Sequence, residues 1–456
     1  MTLTRELAEF VVEFRNRPLL DDVRRAAEWA MLDWLGSAIR GGEAFPARAV
    51  LEVARHAMAG EDATVLATGE RLSALGAALA NGAASHVLEL DDLHQGSTFH
   101  PAAPIIPAAL AAAERTGSNG QSLLQAVVAG YEVGIRLAEA VNPSHYRYWH
   151  PTATCGVFGA AAAAGVVLGL SCTELIDALG SAGTMAGGLW QFLDDGAMSK
   201  PLHAGKAAHD GLLTAELARA GLSGASAILE GPRGFFAATA GEVDPTRITD
   251  GLGHRFKILE IGFKRHACCG HTHTAVDAAL ALRRRIAGRT IRQVEVGTYR
   301  VALDITDNPA PETERAAKFS LQHAVAVALL DGAAGLEQFR SERLADPEVA
   351  ALRAEVVVEA VPDFTDVYPR LWPAVVRVRL ADGEVLEETV TVPHGMPGSP
   401  MSDEELRGKF LGLVTPVLGR ERADLLAQAV ARLGDGLPAR ELLRSCWPER
   451  DPLPSA

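Results

Sequence analysis

The sequence predicts a mainly α protein in which helical segments from both ends of the chain enclose a smaller α+β insert. Three observations carry this. Apolar residues recur at helical spacing up to about residue 264, the period shifts to two from about residue 290, and the chain beyond about residue 397 is helical again. At 456 residues and 48% hydrophobic side chains, the chain exceeds one typical core, so two domains are expected. Their limits are drawn at 1–264 for the first part of the helical domain, 265–396 for the insert and 397–456 for the returning helical part.

Taken in order, ELAEFVVEF (6–14) and DDVRRAAEWAMLDWLGSAIRGG (21–42) space their apolar residues three and four apart, with glycine-rich stops between segments. In FGAAAAAGVVLGL (158–170) the side chains are so small that helix axes can approach closely, and alanine loses little side-chain entropy on burial. No charge occurs from Pro151 to Cys172. That run is mostly Ala, Gly and Thr and poorly hydrophobic by transfer energy, so a close-packed buried helix is expected rather than a membrane span. RQVEVGTYRVAL (292–303), AEVVVEAV (354–361) and AVVRVRLADGEVLEETVTV (374–392) alternate as strands do, the last with Asp382-Gly383 where a hairpin turn belongs. The helix KFSLQHAVAVALLDG (318–332) interrupts these strands. HGMPGSPMSDEEL (394–406) reads as a linker followed by a helix start near Ser402.

The net charge of −14 excludes general affinity for nucleic acid or anionic lipid, which requires a basic face. An acidic ligand therefore needs a local cluster of cations. Cys155, Cys172, Cys268, Cys269 and Cys446 form no regular framework, and the opening MTLTRELAEF has no charged segment followed by an apolar core, so a reducing cytoplasm is expected.

Four clusters could carry chemistry. His86, Glu89, Asp91, Asp92, His94 and His100 crowd the end of one helix and the loop before another, whose opening turn suits Pro101 and Pro104. His100 would then sit at a helix start, where backbone N–H groups and the dipole favour an anion. The competing reading makes Asp91 and Asp92 solvated loop residues and helix caps. HYRYWHPTATCG (145–156) repeats the His-Pro pattern at His150, whose plainer reading is a helix-entry ring satisfied by backbone. SKPLHAGKAAHDG (199–211) sets Lys200 and His203 along one helix face, with Lys206 expected in solvent. FKRHACCGHTHTAVDAALAL (263–282), at the expected domain junction, gathers Lys264, Arg265, His266, His271 and His273. Cys268-Cys269 with His271 and His273 invites a zinc site, but the spacing is not CxxC and no second ligand pair follows. The sequence has no Walker loop, no GxGxxG after a strand and no GxSxG elbow.

His86-x-x-Glu89-Leu-Asp91-Asp92-x-His94 followed by His100-Pro101, then Trp149-His150-Pro151-Thr152-Ala153-Thr154, then Lys200-Pro-Leu-His203-x-Gly205-x-Ala-Ala208, then Lys264 ahead of Cys268-Cys269-x-His271-Thr-His273, then Lys318-Phe-Ser320, resemble the MmgE/PrpD family. The motifs run in order from about residue 80 to 330, and the chain length fits. That family includes 2-methylcitrate dehydratases, cis-aconitate decarboxylases and iminodisuccinate epimerases. The resemblance implies a large all-helical domain made from both chain ends, an inserted α+β lid, a homodimer, and acid/base work on a small polycarboxylate without metal or organic cofactor.

Each of those activities makes or discharges a carbanion next to a carboxylate or imine, which calls for a proton-transfer group and a cation to stabilise the developing charge. His100 and His150 suit proton transfer, Lys200 and Lys264 the binding of carboxylate, and Asp91, Asp92 and Glu89 the protonation of a departing hydroxyl. By resemblance to the decarboxylase pattern, His100, His150, Lys200 and Lys264 match in kind. Glu89 falls where that pattern has an aspartate, Leu93 where threonine is common, Cys269 where it has a histidine and His323 where it has a tyrosine; the cysteine agrees better with dehydratase-like members. His203, Arg265 and His273 complete the expected substrate-binding set. The expected function is a lyase that eliminates water from a hydroxylated di- or tricarboxylate. Decarboxylation or epimerisation on the same pocket, and a non-catalytic binding protein of the same fold, are the alternatives.

Overall fold

The computed structural model describes residues 2–444 and Trp447; Cys446 lies outside the described residues. Helix predominates, and among the described residues the named strands are confined to two short pairings and one four-stranded sheet. The chain forms two compact units: one from residues up to Val87, Ser97–Ile261 and Asp403 onward, the other from Leu88–Gly96 and Gly262–Ser402. Against the limits drawn at 264 and 396, the main divisions fall at Ile261 and Ser402. Segment Leu88–Gly96, assigned from sequence to the helical part, belongs to the second unit.

The first unit contains α1 (Leu3–Phe14), α2 (Asp21–Gly41), α3 (Phe45–Ala57), α4 (Ala74–His86), α5 (Ala102–Thr116), α6 (Gly120–Val141), α7 (Pro151–Thr154), α8 (Gly156–Leu168), α9 (Cys172–Met185), α10 (Gln191–Asp194) and α11 (Lys200–Arg219). Helix starts follow side-chain chemistry: Ser73 accepts from the Gly76 N–H at α4, and Ser171 with Glu174 forms a capping box at α9. The returning helices Asp403–Leu418 and Arg420–Val430 pack on α2, where the Lys409 ammonium donates to the buried Asp33 carboxylate at 2.6 Å. The uncharged run Pro151–Leu168 has a mean hydropathy of 1.6, high enough to cross a bilayer on composition, but 89% of it is buried inside the protein. It is a core helix.

The crossing of α4 and α11 decides where the site residues fall. A Cβ on Gly205 would lie 2.4 Å from the Leu79 carbonyl oxygen, and one on Gly82 2.9 Å from the Gly205 Cα. Only glycine permits that approach. It brings the end of α4, which carries His86, beside the start of α11, which carries Lys200 and His203.

In the second unit, β1 (Asp92–Leu93) pairs antiparallel with β2 (Gly262–Phe263), setting Asp92 opposite Phe263. After α12 (His273–Ile286) come β3 (Ile291–Thr298), α13 (Glu314–Lys318), α14 (Leu321–Asp331), β4 (Val356–Ala360), β5 (Ala374–Leu380) and β6 (Val385–Val390). The strand order is β4-β3-β5-β6, with β3 and β4 parallel and the other neighbours antiparallel. Helix α12 packs on β5, β6 and α14. The β5–β6 hairpin turns at Asp382-Gly383, where Gly383 has a φ of 92°, a left-handed value suited to glycine. The strand expected over 292–303 stops at Thr298 and gives way to a helix at Arg300–Thr306. The buried residues there, Ala302 and Thr306, are four apart, which is helical rather than strand spacing.

Candidate active site

In the first unit four histidines form a buried array. His86 closes α4, His100 precedes α5, His150 is the N-cap of α7 and His203 lies in the first turn of α11. Ring centroids of His86 lie 5.0 Å from His100 and 5.5 Å from His150, and those of His150 and His203 are 5.4 Å apart. The Nδ1 atoms of His150 and His203 approach to 3.1 Å, so one ring donates and the other accepts. The plainer reading of His150, a ring satisfied by backbone, does not hold: the ring meets His203, and its bonds to backbone are made by its main chain, the N–H donating to the Gly188 carbonyl at 3.0 Å and the carbonyl accepting from the Ala153 and Thr154 N–H groups. Trp190, held by its Nε1 donating to the Trp149 carbonyl at 2.9 Å, packs 4.7 Å from the His150 ring.

Burial holds His150 well below the ordinary histidine range, and the positive charge available to His203, His86, Lys200 and His100 adds to the effect. His150 is therefore a neutral imidazole at neutral pH. Lys200, the first residue of α11, is also buried. His145 supports the group from behind, with Nε2 2.7 Å from Thr154 Oγ1 and Nδ1 3.1 Å from the Thr239 carbonyl oxygen; burial pushes it down to about 4. Further along α11, Lys206 is half-exposed and ion-paired with Asp210 at 2.6 Å, and His209 meets the same carboxylate at 2.8 Å, so neither joins the array.

The second unit holds a buried charge cluster. Glu89 adopts a φ of 60°, a left-handed conformation that strains a residue with a Cβ by about 1–3 kcal/mol and is found where surrounding structure over-determines it. Its carboxylate accepts from the fully buried Lys264 ammonium at 3.2 Å. Lys318, at the end of α13, donates to the Leu88 carbonyl at 2.9 Å, and its own carbonyl accepts from the Cys269 N–H at 2.9 Å. Burial alone would push Lys264 down, but Glu89 and Asp91 override it and the net direction is up. Lys318 is brought down to about 8, by burial first and with Lys264 adding to it, while Glu89 opposes the shift. One lysine thus stays charged while its neighbour is poised to release a proton. Asp91 and Asp92 are fully buried, which overturns the solvated-loop reading of both.

The remaining expected residues are placed differently. Leu93 packs into an apolar cluster with Tyr299, Ala302, Trp372 and Met396. His271 stacks on Trp372 at 4.4 Å and sits 2.6 Å from the Tyr299 hydroxyl. His273 presents Nε2 3.3 Å from the Cys268 carbonyl oxygen and packs 5.0 Å from the His266 ring. His323 has Nε2 2.9 Å from the Gln338 carbonyl oxygen and is pushed down to about 4 by burial. Arg265 is exposed although Lys264 beside it is buried. Cys269 is buried, and the adjacent Cys268 accepts a bond from Thr272 Oγ1 at 3.1 Å while burial pushes its thiol up to about 12, away from the thiolate a metal would need. The sequence reading did not single out Lys318 as a site residue, although it stands in the KFS motif.

The fold is mainly α, and it gathers His86, His100, His150 and His203 into one buried cluster and Glu89, Asp91, Asp92 and Lys264 into another. Residues 5–248 match the MmgE/PrpD N-terminal domain and residues 266–434 the MmgE/PrpD C-terminal domain, and the chain belongs to the MmgE/PrpD family. It is 29% identical to a cis-aconitate decarboxylase-like protein, oryM, of Aspergillus oryzae, over 97% of this chain and 96% of that one. It is also 29% identical to the cis-aconitate decarboxylase of Mus musculus, over 95% of this chain and 91% of the relative. A 2-methylcitrate dehydratase-like protein, oryR, of Aspergillus oryzae is 30% identical over 37% of each chain.

Proposed function

We propose that this protein is a lyase that eliminates water from a hydroxylated di- or tricarboxylate by acid/base chemistry without a cofactor. The observation that carries the reading is the buried His150–His203 contact, which supplies an imidazole neutral at working pH. With His150 Nδ1–H donating to His203, the His150 Nε2 lone pair takes the proton from the carbon next to a substrate carboxylate. The negative charge that develops on that carboxylate is stabilised by the Lys200 ammonium. The carbon–oxygen bond then breaks, and the hydroxyl leaves as water after taking a proton from a general acid. His100 is assigned hydrogen bonding to substrate carboxylate. The enzyme is expected to work as a cytoplasmic homodimer.

A second reading, decarboxylation, is favoured by the similarity along nearly the whole chain to cis-aconitate decarboxylases. There the carbon–carbon bond breaks to release carbon dioxide, the electron pair stays on carbon, and a protonated histidine delivers the proton that discharges it. Glu89, Leu93, Cys269 and His323 stand where the decarboxylase pattern has other residues, and for that reason dehydration is preferred.

Proton NMR in deuterated buffer with 2-methylcitrate, citrate, cis-aconitate and iminodisuccinate separates the outcomes. Loss of water with deuterium exchange beside a carboxylate is expected. Loss of carbon dioxide from cis-aconitate would replace the first reading with the second. Exchange without elimination would indicate epimerisation. A folded protein inert across the panel would count against both lyase readings.

A further inference from the structure

A cavity of about 370 Å³ in the second unit is lined by Arg265, Arg283, Arg284, His394 and Ser399, with Leu280, Ala281, Val390 and Val392 as its apolar wall. The lining comes from separate stretches of chain: Arg265 follows β2, Arg283 and Arg284 lie in the last turn of α12, and His394 and Ser399 follow β6. The last-turn position accounts for two of the arginines, because cations suit a helix C-terminus. It does not account for Arg265 and His394 arriving at the same cavity.

Charge pairing sharpens the contrast. Arg285 pairs with Glu388 at 3.4 Å, and Arg289 forms ion pairs with Glu384 and Asp382. Among the described residues, Arg265 and Arg284 form no ion pair or side-chain hydrogen bond, and Arg283 donates only to the Leu330 carbonyl at 3.3 Å. The carboxylate in the wall, Asp277, is already engaged on both oxygens. Oδ1 accepts from His266 Nε2 at 2.8 Å and Oδ2 from the His394 main-chain N–H at 2.8 Å. Three guanidinium groups therefore line one concavity without an acid of their own, in a chain whose net charge is −14.

We propose that this cavity binds a compact, multiply charged oxyanion, a polycarboxylate or a phosphate, held by Arg265, Arg283 and Arg284. Guanidinium forks match both classes through paired N–H donors, and the apolar wall accommodates a short carbon skeleton. The lining includes neither Lys264 nor Lys318, and occupation of the cavity does not depend on the reaction the enzyme performs.

Isothermal titration with inorganic phosphate and with propane-1,2,3-tricarboxylate, at ionic strength held constant with chloride, tests this on the full chain. Saturable binding of one of them is expected, weakened about tenfold or more by Arg284→Ala or Arg265→Ala, as loss of a charged hydrogen bond implies. Arg285→Ala removes the same charge outside the cavity and should leave binding unchanged. Phosphate alone binding would name the phosphate class, and the tricarboxylate alone the carboxylate class. Binding that is absent for both, that survives in the two cavity variants, or that falls equally in Arg285→Ala would overturn the proposal. Titration of Lys200→Ala keeps this result distinct from substrate binding, because a loss there with retention in the arginine variants would place the ligand elsewhere.

Discussion

Replacing Glu89 with glutamine preserves the length of the side chain and the strain of its left-handed backbone but removes the carboxylate that faces Lys264 at 3.2 Å. The lysine stays fully buried with its main counter-charge gone, and Lys318 loses the group that opposes its downward shift. Breaking a buried pair from one side costs about 3–5 kcal/mol. A unit of about 150 residues loses roughly 2–4 °C per kcal/mol, so the melting temperature of the second unit should fall by about 6–20 °C. The pH dependence provides a second check. In the wild type, Lys264 is raised above its unfolded value, so its stabilisation is fully present below about pH 10.5 and is lost as pH rises through the folded pKa. Without Glu89 the shift reverses, and the deficit of the variant should narrow between pH 7 and pH 10 as the lysines become neutral. Differential scanning calorimetry across that range measures both effects. A melting temperature within about 1 °C of wild type, or a deficit constant with pH, would refute the reasoning.

His150→Gln should lower kcat on the identified substrate by about 10²–10⁴-fold, the range for loss of a general base, with the far-ultraviolet circular dichroism spectrum retained. Because His150 is held below the ordinary histidine range, the acid limb of kcat/KM should lie below pH 6.5, and a limb at or above that value would assign the base to another group. Lys318→Met should remove a rise in stability that urea denaturation detects in the wild type between about pH 8 and pH 10.5. In that window the unfolded chain holds the Lys318 proton and the native chain has released it. Gly205→Ala puts a Cβ 2.4 Å from the Leu79 carbonyl oxygen and should destabilise the first unit by about 1–3 kcal/mol in chemical denaturation, with a loss of turnover from the displaced His86 and His203.

Much of this was legible because it is local. The period-three-and-four pattern marks α1 and α2, and Asp382-Gly383 marks the hairpin between β5 and β6. Two His-Pro helix starts, at His100 and His150, point to residues that the fold brings near His86 and His203. What was not legible depends on distance along the chain. The partner of Glu89 is 175 residues away, and Lys318 reaches Leu88 across 230, so nothing near either position in sequence announces the contact. The reading for segment Leu88–Gly96 followed its helical neighbours, although its strand partner is β2. Arg265 was grouped with Lys264 because they are adjacent, yet successive side chains along extended backbone point to opposite sides, and only one of the two is buried.

The separation of Leu88–Gly96 from the rest of the second unit has a consequence for the order of synthesis. Glu89, Asp91 and Asp92 leave the ribosome long before Lys264, the first of the two lysines that neutralise this cluster. At 5–20 residues per second the wait is roughly 10–35 s, during which the acidic segment has neither its β2 partner nor its cation. A fragment begun at Gly262 meets the converse problem, since it would carry Lys264, destined for full burial, and no acidic segment to receive it. The second unit is therefore not a portable module. Its inheritance, recombination and expression are tied to nine residues encoded far upstream of the rest.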